Sequence, residues 1–344
     1  MLLPPLSILH VNLSRGFGGA EQYCLDLAAR QLRRGHKAGL VMLRAARGTI
    51  GSRAPAGLAL HEAAWIFPSR AVARAIAVQK PDILHAHLPD AARAVTALRR
   101  RPPAVLTLHI RYRQREMRGI AGLICIANWQ EQEAACFTGP RITAHNWPPD
   151  EPPFDPARIA AARTEIGADQ DTFVVGAIAR LNRIKRLDLL IDAWKHARPA
   201  KARLALIGSG PESRTLMARA AGDDTIRFLG HRADPQNWHR ALDLYVLPSD
   251  WEGLPLSVLE AMRAGTPILA TASAGTAEVL QGADATLVPC GDRAALADAL
   301  ARLGARFAQG ALPRRAYDMS RFDPERAVAR IDDFYRQLIA RSPT

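Results

Sequence analysis

Five prolines fall within ten residues, in Trp147-Pro148-Pro149-Asp150-Glu151-Pro152-Pro153-Phe154-Asp155-Pro156, and they cut this 344-residue chain into two halves. Proline lacks the backbone N–H that a helix interior or a central strand requires, so the segment predicts an interdomain linker. On both sides of it, short apolar runs bounded by turn residues alternate with helical patterns, which predicts parallel sheets covered by helices. The strands are expected at 6–13, 38–43, 82–86, 104–109 and 122–126 in the first half. In the second half they are expected at 172–178, 203–208, 226–229, 242–247, 267–271 and 285–288. The expected fold class is therefore α/β, with domains over 1–155 and 156–323. The length supports this, because ordinary single cores stop growing before about 300 residues. A last helix is predicted over 324–344, where Ala327, Val328, Ile331, Phe334, Tyr335 and Leu338 form a stripe of period 3.6.

Composition narrows the partners. The formal net charge is +13, and it is concentrated: residues 1–150 carry 20 Lys and Arg against 9 Asp and Glu, whereas the remainder is nearly balanced. Arg93, Arg99, Arg100, Arg101, Arg111, Arg113, Arg115 and Arg118 supply much of the excess, in a stretch with helical character. Such a surface seeks an anion. Aromatic residues are few among these arginines and no known nucleic-acid module is evident, which argues against nucleic acid and leaves an anionic membrane surface or a plain solvated face. Cys24, Cys125, Cys136 and Cys290 lie far apart with no C-x-x-C pair, so neither a disulfide framework nor a zinc site is expected. No run reaches the roughly 18 apolar residues of a membrane span, and Met1-Leu2-Leu3-Pro4-Pro5 lacks the basic start of a signal peptide. The expected location is the cytoplasm, with peripheral attachment to the inner face of the cell membrane as an option.

The chemistry is concentrated in Ser249-Asp250-Trp251-Glu252-Gly253-Leu254-Pro255-Leu256-Ser257-Val258-Leu259-Glu260-Ala261-Met262. Pro255 suits the first helical position, while Gly265 and Pro267 supply a stop. Glu252 is then in the entering loop and Glu260 about a turn and a half inside the helix. The helix start offers unpaired N–H groups and the positive dipole end, which favour phosphate, and ionised glutamates accept hydrogen bonds from sugar hydroxyls. A nucleotide sugar carries both groups.

This stretch resembles the paired-glutamate signature of retaining glycosyltransferases of the two-Rossmann-domain (GT-B) type, in particular family 4. The resemblance implies two Rossmann-like domains facing each other across a cleft, with the last helix, 324–344, crossing back to pack on the first domain. It also implies that Glu252 contacts the transferred sugar, that the segment Gly253, Leu254, Pro255 and Leu256 lines sugar and diphosphate, with the backbone N–H groups of Gly253, Leu254 and Leu256 facing them, and that Glu260 holds the ribose. Ala177 to Arg186 follows a predicted strand and is similar to the family segment whose Arg and Lys bind the diphosphate, which assigns that role to Arg180 and Lys185; Ala179 and Arg186 stand where the family often has glycine. Arg15-Gly16-Phe17-Gly18-Gly19-Ala20-Glu21 resembles the family's Gly-Gly-x-Glu loop, placing Gly18 and Gly19 near the donor diphosphate and Glu21 near the acceptor. Gly208 and Arg232, in Leu206-Ile207-Gly208-Ser209-Gly210 and Phe228-Leu229-Gly230-His231-Arg232, match further donor segments.

The histidines divide by position. His109, after a strand, matches a family position that touches the donor sugar and its phosphate, and His87 is an acceptor-site candidate. His85 and His87 point the same way along a strand, but without a third ligand in view no metal is expected. The resemblance implies no cofactor, a UDP-sugar or GDP-sugar substrate, and transfer to a glycan or glycolipid acceptor in envelope polysaccharide or lipopolysaccharide synthesis. A nucleotide-sugar epimerase and a non-catalytic basic binding protein are the alternatives.

Overall fold

The computed structural model describes residues 4–150 and 152–341. The start of the chain at 1–3, Glu151 of the expected linker, and 342–344 of the expected last helix lie outside the described residues. The chain forms two compact units. The first comprises residues up to Pro149 together with those from Phe322 onward, and the second spans Asp150–Arg321.

Thirteen strands are formed among the described residues: β1 Ser7–Asn12, β2 Lys37–Leu43, β3 Ala59–Ala63, β4 Ile83–His87, β5 Ala104–Leu108, β6 Gly122–Cys125 and β7 Arg141–Thr143 in the first unit, then β8 Phe173–Ile178, β9 Ala202–Ile207, β10 Ile226–Gly230, β11 Leu244–Leu247, β12 Ile268–Thr271 and β13 Thr286–Val288 in the second. The helices are α1 Gly19–Arg33, α2 Pro68–Gln79, α3 Leu88–Thr96, α4 Asn128–Glu133, α5 Pro156–Ile166, α6 Leu187–Ala197, α7 Ser213–Ala220, α8 Pro235–Ala241, α9 Leu256–Arg263, α10 Ala274–Val279, α11 Arg293–Ala308 and α12 Pro324–Arg341. The sheet orders are β3-β2-β1-β4-β5-β6-β7 and β10-β9-β8-β11-β12-β13, with parallel pairing throughout. Each unit is thus a doubly wound, Rossmann-like sheet. Helices on both faces bury the central strands completely, which is why β1, β4 and β5 read as near-continuous apolar runs.

All eleven predicted strands are present; β3 and β7 are additional. Both are edge strands, packed against one neighbour only, and their sequences Ala-Leu-His-Glu-Ala and Arg-Ile-Thr lack the apolar run that a central strand needs. The eight arginines between 93 and 118 do not share a helix. Arg93 lies on α3, the next three in the following loop, and the last four beyond β5, so the basic charge is spread over separate loops. The proline segment is also shorter as a linker than expected. Trp147 is 2% exposed in the first unit, with its ring 4.8 Å from that of Tyr23. At the other end, the Asp155 carboxylate caps α5 by accepting from Ala157 N–H, with Pro156 at the first helical position.

The returning helix α12 belongs to the first unit, and its six predicted apolar positions are all buried. Its fit is close: a side chain at Gly122 of β6 would meet the Phe334 ring at 2.7 Å and Leu338 at 2.9 Å. The Asp332 carboxylate on the same helix accepts from Arg34 Nε at 2.9 Å, tying α12 to the end of α1.

Candidate functional site

Open parallel sheets bind ligands beyond the carboxyl ends of their strands, where the strand order reverses. In the second unit the reversal lies between β8 and β11, in the first between β1 and β4. The candidate residues gather at these two places because loops 179–186 and 248–255 follow β8 and β11, and loop 13–18 and His87 follow or end β1 and β4.

In the second unit, Asn182 accepts from the Lys185 backbone N–H at 3.2 Å and closes a short turn over Arg183–Lys185. Arg186 then takes a left-handed conformation, φ +47, which costs a non-glycine residue about 1 kcal/mol. Its guanidinium offsets this by donating to both Asp250 carboxylate oxygens at 3.0 Å and to Asp188 at 3.2 Å. Those two carboxylates, Asp188 foremost, hold the Arg186 guanidinium above its ordinary range. The residue thereby fills a glycine-type conformation while fastening one loop to the other. Asp250 N–H adds a hydrogen bond to Ile184 C=O at 3.0 Å. The result brings together two candidates 67 residues apart: Lys185 Nζ donates to Glu252 Oε1 at 2.6 Å, with the side chains 19% and 10% exposed.

The Glu252 loop is clamped from behind. A side chain at Gly275, in the first turn of α10, would lie 2.1 Å from Gly253 C=O and 2.6 Å from Glu252 C=O. Gly208, at φ +136, is required for the same reason, because any Cβ there would sit 1.9 Å from Ala179 C=O. Gly253 and Leu254 are buried, and Pro255 is the N-cap of α9 and not its first residue. As a proline, Pro255 has no N–H to donate, and the N–H groups of Leu256 and Ser257 have no helical carbonyl behind them to bond. Glu260 follows one turn inside α9, 3.4 Å from buried His239 Nε2. Burial, with the charges of Glu252 and Glu260, pushes the Tyr245 hydroxyl up; Ser257, whose Oγ lies 2.7 Å from that hydroxyl and can donate to the ionised oxygen, opposes the shift. Arg180 is exposed at the start of its loop. Arg232 is engaged elsewhere, paired with Glu165 of α5 and with its guanidinium 4.7 Å above the Trp238 ring, away from the Lys185–Glu252 pair in its contacts.

In the first unit, Gly18 caps α1 and Gly19 opens it; Glu21, 6% exposed, sits in its first turn, where the helix dipole favours a carboxylate. His87 ends β4, and His109 follows β5. The rings of His85 and His87 stack with centroids 4.2 Å apart. His10, Cys24 and His87 are buried with ligand-type atoms within 4.8 Å of one another, yet His10 Nδ1 and His87 Nε2 already face each other at hydrogen-bond distance, 3.1 Å. His10, Gln31 and Thr107 join this cluster without having been singled out from sequence, as does Tyr335, which the sequence placed only on the apolar stripe of the last helix. The only signal was register: β1 lies beside β4 with His10 opposite His85.

Two family models match the chain, one described as Glycosyltransferase Family 4 over residues 17–163 and one as Glycosyl transferases group 1 over residues 172–306. The chain belongs to the family 4 glycosyltransferases. The lipopolysaccharide core biosynthesis mannosyltransferase LpsB of Rhizobium meliloti is 31% identical over 201 residues, 53% of this chain and 56% of LpsB. A D-inositol 3-phosphate glycosyltransferase of Kribbella flavida is 35% identical over 167 residues, 44% of this chain and 39% of that one. The chain spans about half the length of the curated relatives it matches. Among solved structures, HepE of Anabaena in complex with UDP and glucose superposes with a TM-score of 0.78 at 21% identity, covering 96% of this chain and 100% of that one. WaaG, a glycosyltransferase involved in lipopolysaccharide biosynthesis, does so with a TM-score of 0.70 at 15% identity, covering 94% and 99%. The fold is GT-B.

The Lys185–Glu252 pair is open to a direct thermodynamic test. Lys185→Met leaves a largely buried carboxylate unpaired and is expected to cost about 1–3 kcal/mol in urea unfolding. The double variant Lys185→Met/Glu252→Leu is expected to lose clearly less than the sum of the single variants. Additive losses would show that the two side chains do not interact.

Proposed function

We propose that the protein transfers a sugar, with retention of anomeric configuration, from a UDP-sugar or GDP-sugar to a hydroxyl of a glycan or glycolipid acceptor in envelope polysaccharide or lipopolysaccharide synthesis. The observation that carries this reading is the Lys185–Glu252 contact beside the start of α9. One ammonium, one carboxylate and a helix N-terminus within two joined loops match the needs of a molecule bearing both diphosphate and hydroxyls. The names of the relatives support the setting: LpsB acts in lipopolysaccharide core biosynthesis, and HepE was crystallised with UDP-glucose.

In this reading the second unit holds the donor. Arg180, Lys185 and the first N–H groups of α9 neutralise the charge that develops on the departing diphosphate, while Glu252 orients the sugar and Glu260 the ribose. Gly18 and Gly19 let backbone approach the diphosphate, His109 accepts a hydrogen bond from the sugar, and Glu21 and His87 serve the acceptor. The acceptor hydroxyl attacks from the leaving-group face and passes its proton to a phosphate oxygen, so no protein nucleophile is required. The cations and N–H groups supply the charge stabilisation, and metal-independent turnover follows. Lys185→Ala and Glu252→Ala are each expected to lower kcat/KM about 10²–10³-fold, the scale of one lost oxyanion donor, and EDTA is expected to leave the wild-type rate unchanged. Wild-type turnover in both variants, or turnover that EDTA abolishes and added Mg²⁺ restores, would contradict the reading.

The membrane-facing part of the proposal rests on a different surface from the arginines of 93–118. Trp65, Ile66 and Phe67 are 53%, 70% and 64% exposed, and Phe67 is held outward in a left-handed conformation, φ +56, at the N-cap of α2. Arg15 lies 4.3 Å over the Trp65 ring and Arg70 4.9 Å over that of Phe67. Residues 63–81 include no acid. An aromatic tip flanked by arginines suits an anionic bilayer surface, and no described helix is long and apolar enough to cross a membrane. Sedimentation with phosphatidylglycerol vesicles is expected to exceed that with phosphatidylcholine vesicles and to fall sharply in Trp65→Ser/Phe67→Ser. Equal sedimentation of wild type and variant would contradict it.

A further inference from the structure

Beneath the strand ends of the first unit, three buried side chains are linked in file with the half-buried His109. Gln31 Oε1 faces His10 Nε2 at 2.8 Å, His10 Nδ1 faces His87 Nε2 at 3.1 Å, and His87 Nδ1 faces His109 Nε2 at 3.2 Å. Successive rings are tilted by only 28° and 24°, so each in-plane nitrogen is turned toward its neighbour. We propose that this file, set at its inner end by Gln31, fixes the tautomer of His109 so that His109 offers a bare Nδ1 as a hydrogen-bond acceptor at the site. The role of that acceptor rests on the preceding reading; the file itself does not.

Donor and acceptor pairing sets the polarity of the file. A neutral imidazole carries one N–H and one lone pair, so in an unbroken file the state of one end dictates the other. The Gln31 Oε1 atom can only accept, which puts the His10 proton on Nε2 and leaves Nδ1 bare. His87 must then donate from Nε2, and so must His109. The last ring is left with an unprotonated Nδ1.

The second end of the Gln31 amide is also engaged. Its Nε2 donates to the Tyr335 hydroxyl at 3.3 Å, that hydroxyl lies 2.5 Å from His85 Nδ1, and His85 Nε2 lies 2.6 Å from Thr107 Oγ1. Tyr335 then donates to His85 Nδ1, and His85 donates from Nε2 to Thr107. The donor and acceptor roles close at every link. Turning the Gln31 amide over would reverse all of them and give His109 an N–H at Nδ1, so only two polarities exist and the amide orientation selects between them. An added proton at His10 Nδ1 or His87 Nδ1 would set two N–H groups face to face. Burial opposes that as well, pushing His10 down to about 4, His109 down to about 3, and His85 and His87 well below the usual histidine range. The titratable groups that face the file from α1 are Tyr23 and Cys24, and the charged groups on the two helices around it are Glu21, Asp26 and Arg30 on α1 and Glu325 and Asp332 on α12. Of these, Asp26, Arg30 and Glu325 are tied to one another, and Asp332 to Arg34 and His36.

Functionally, a bare Nδ1 receives a hydrogen bond from a sugar hydroxyl, whereas a cationic or Nδ1–H ring would turn instead to phosphate. Gln31, which touches no substrate, is therefore a positioning residue acting through two rings. The test is a long-range ¹⁵N–¹H spectrum of the full chain with ¹⁵N-labelled histidine, assigned by His10→Asn, His87→Asn and His109→Asn. The expected result is an Nε2–H tautomer for His10, His87 and His109, unchanged between pH 6 and 8. Gln31→Leu is expected to convert His109 to a tautomer mixture and to lower kcat about tenfold with a smaller change in KM. Gln31→Glu, which keeps an acceptor toward His10, is expected to restore the single tautomer. An Nδ1–H or cationic His109 in the wild type, or a His109 spectrum indifferent to Gln31→Leu, would overturn the proposal. Because the spectrum needs no substrate, it stands or falls separately from sugar transfer. Loss of kcat in Gln31→Leu without a tautomer change would overturn it as well.

Discussion

Every strand in both sheets runs parallel to its neighbours, and that single constraint sends all their carboxyl ends to one edge of each unit. A loop that leaves one strand there must pass beside the loop that leaves the next. Where the order reverses, between β8 and β11, no crossover helix fills the space, and the two loops meet. The second unit uses that meeting to hold a cation and a carboxylate in contact. Opposite charges at this distance attract strongly once water is partly excluded, but desolvation cancels much of the gain. The Lys185–Glu252 pair is better understood as a means of fixing two side chains in space than as a source of stability.

The supporting contacts share that logic. Arg186 accepts backbone strain and returns it as bonds to Asp188 and Asp250. Gly275 brings the start of α10 against the Glu252 backbone, where any side chain would collide. Such over-determination is what a rigid first layer around a ligand needs, since small displacements of a donor or acceptor cost much of its effect. The first unit reaches rigidity by a different route. Its imidazoles are paired in a file that is buried up to the half-buried His109, which suits them to transmit orientation and not charge.

Much of the fold was legible because burial on both faces writes itself into sequence as apolar runs. The central strands and the stripe of α12 were readable on that basis. Strands β3 and β7 were not, since an edge strand has one neighbour and a mixed surface. The linker was legible from its prolines, but Trp147 was not, because a buried tryptophan next to two prolines looks the same as an exposed one until Tyr23 is placed beside it. Among the candidate residues, Glu252, Glu260 and Lys185 were singled out from residue type and spacing together with the family resemblance. That Lys185 touches Glu252 was not, because the contact depends on which strands are neighbours. Arg232 matched a donor segment, yet in its own unit it serves Glu165 and Trp238. His10 and Gln31 carry no local signature at all, and their importance appears only when β1, β4 and α1 are packed.

The account rests on the claim that the loop after β8 and the start of α9 form one receptor for a nucleoside diphosphate. A crystal structure of the full chain with UDP or GDP tests this most directly. The account requires a phosphate oxygen within about 3 Å, ordinary hydrogen-bond distance, of both Lys185 Nζ and a backbone N–H at the start of α9, with the ribose at Glu260. Nucleotide bound elsewhere on the chain, with Lys185 and Glu252 still joined and untouched, would contradict it.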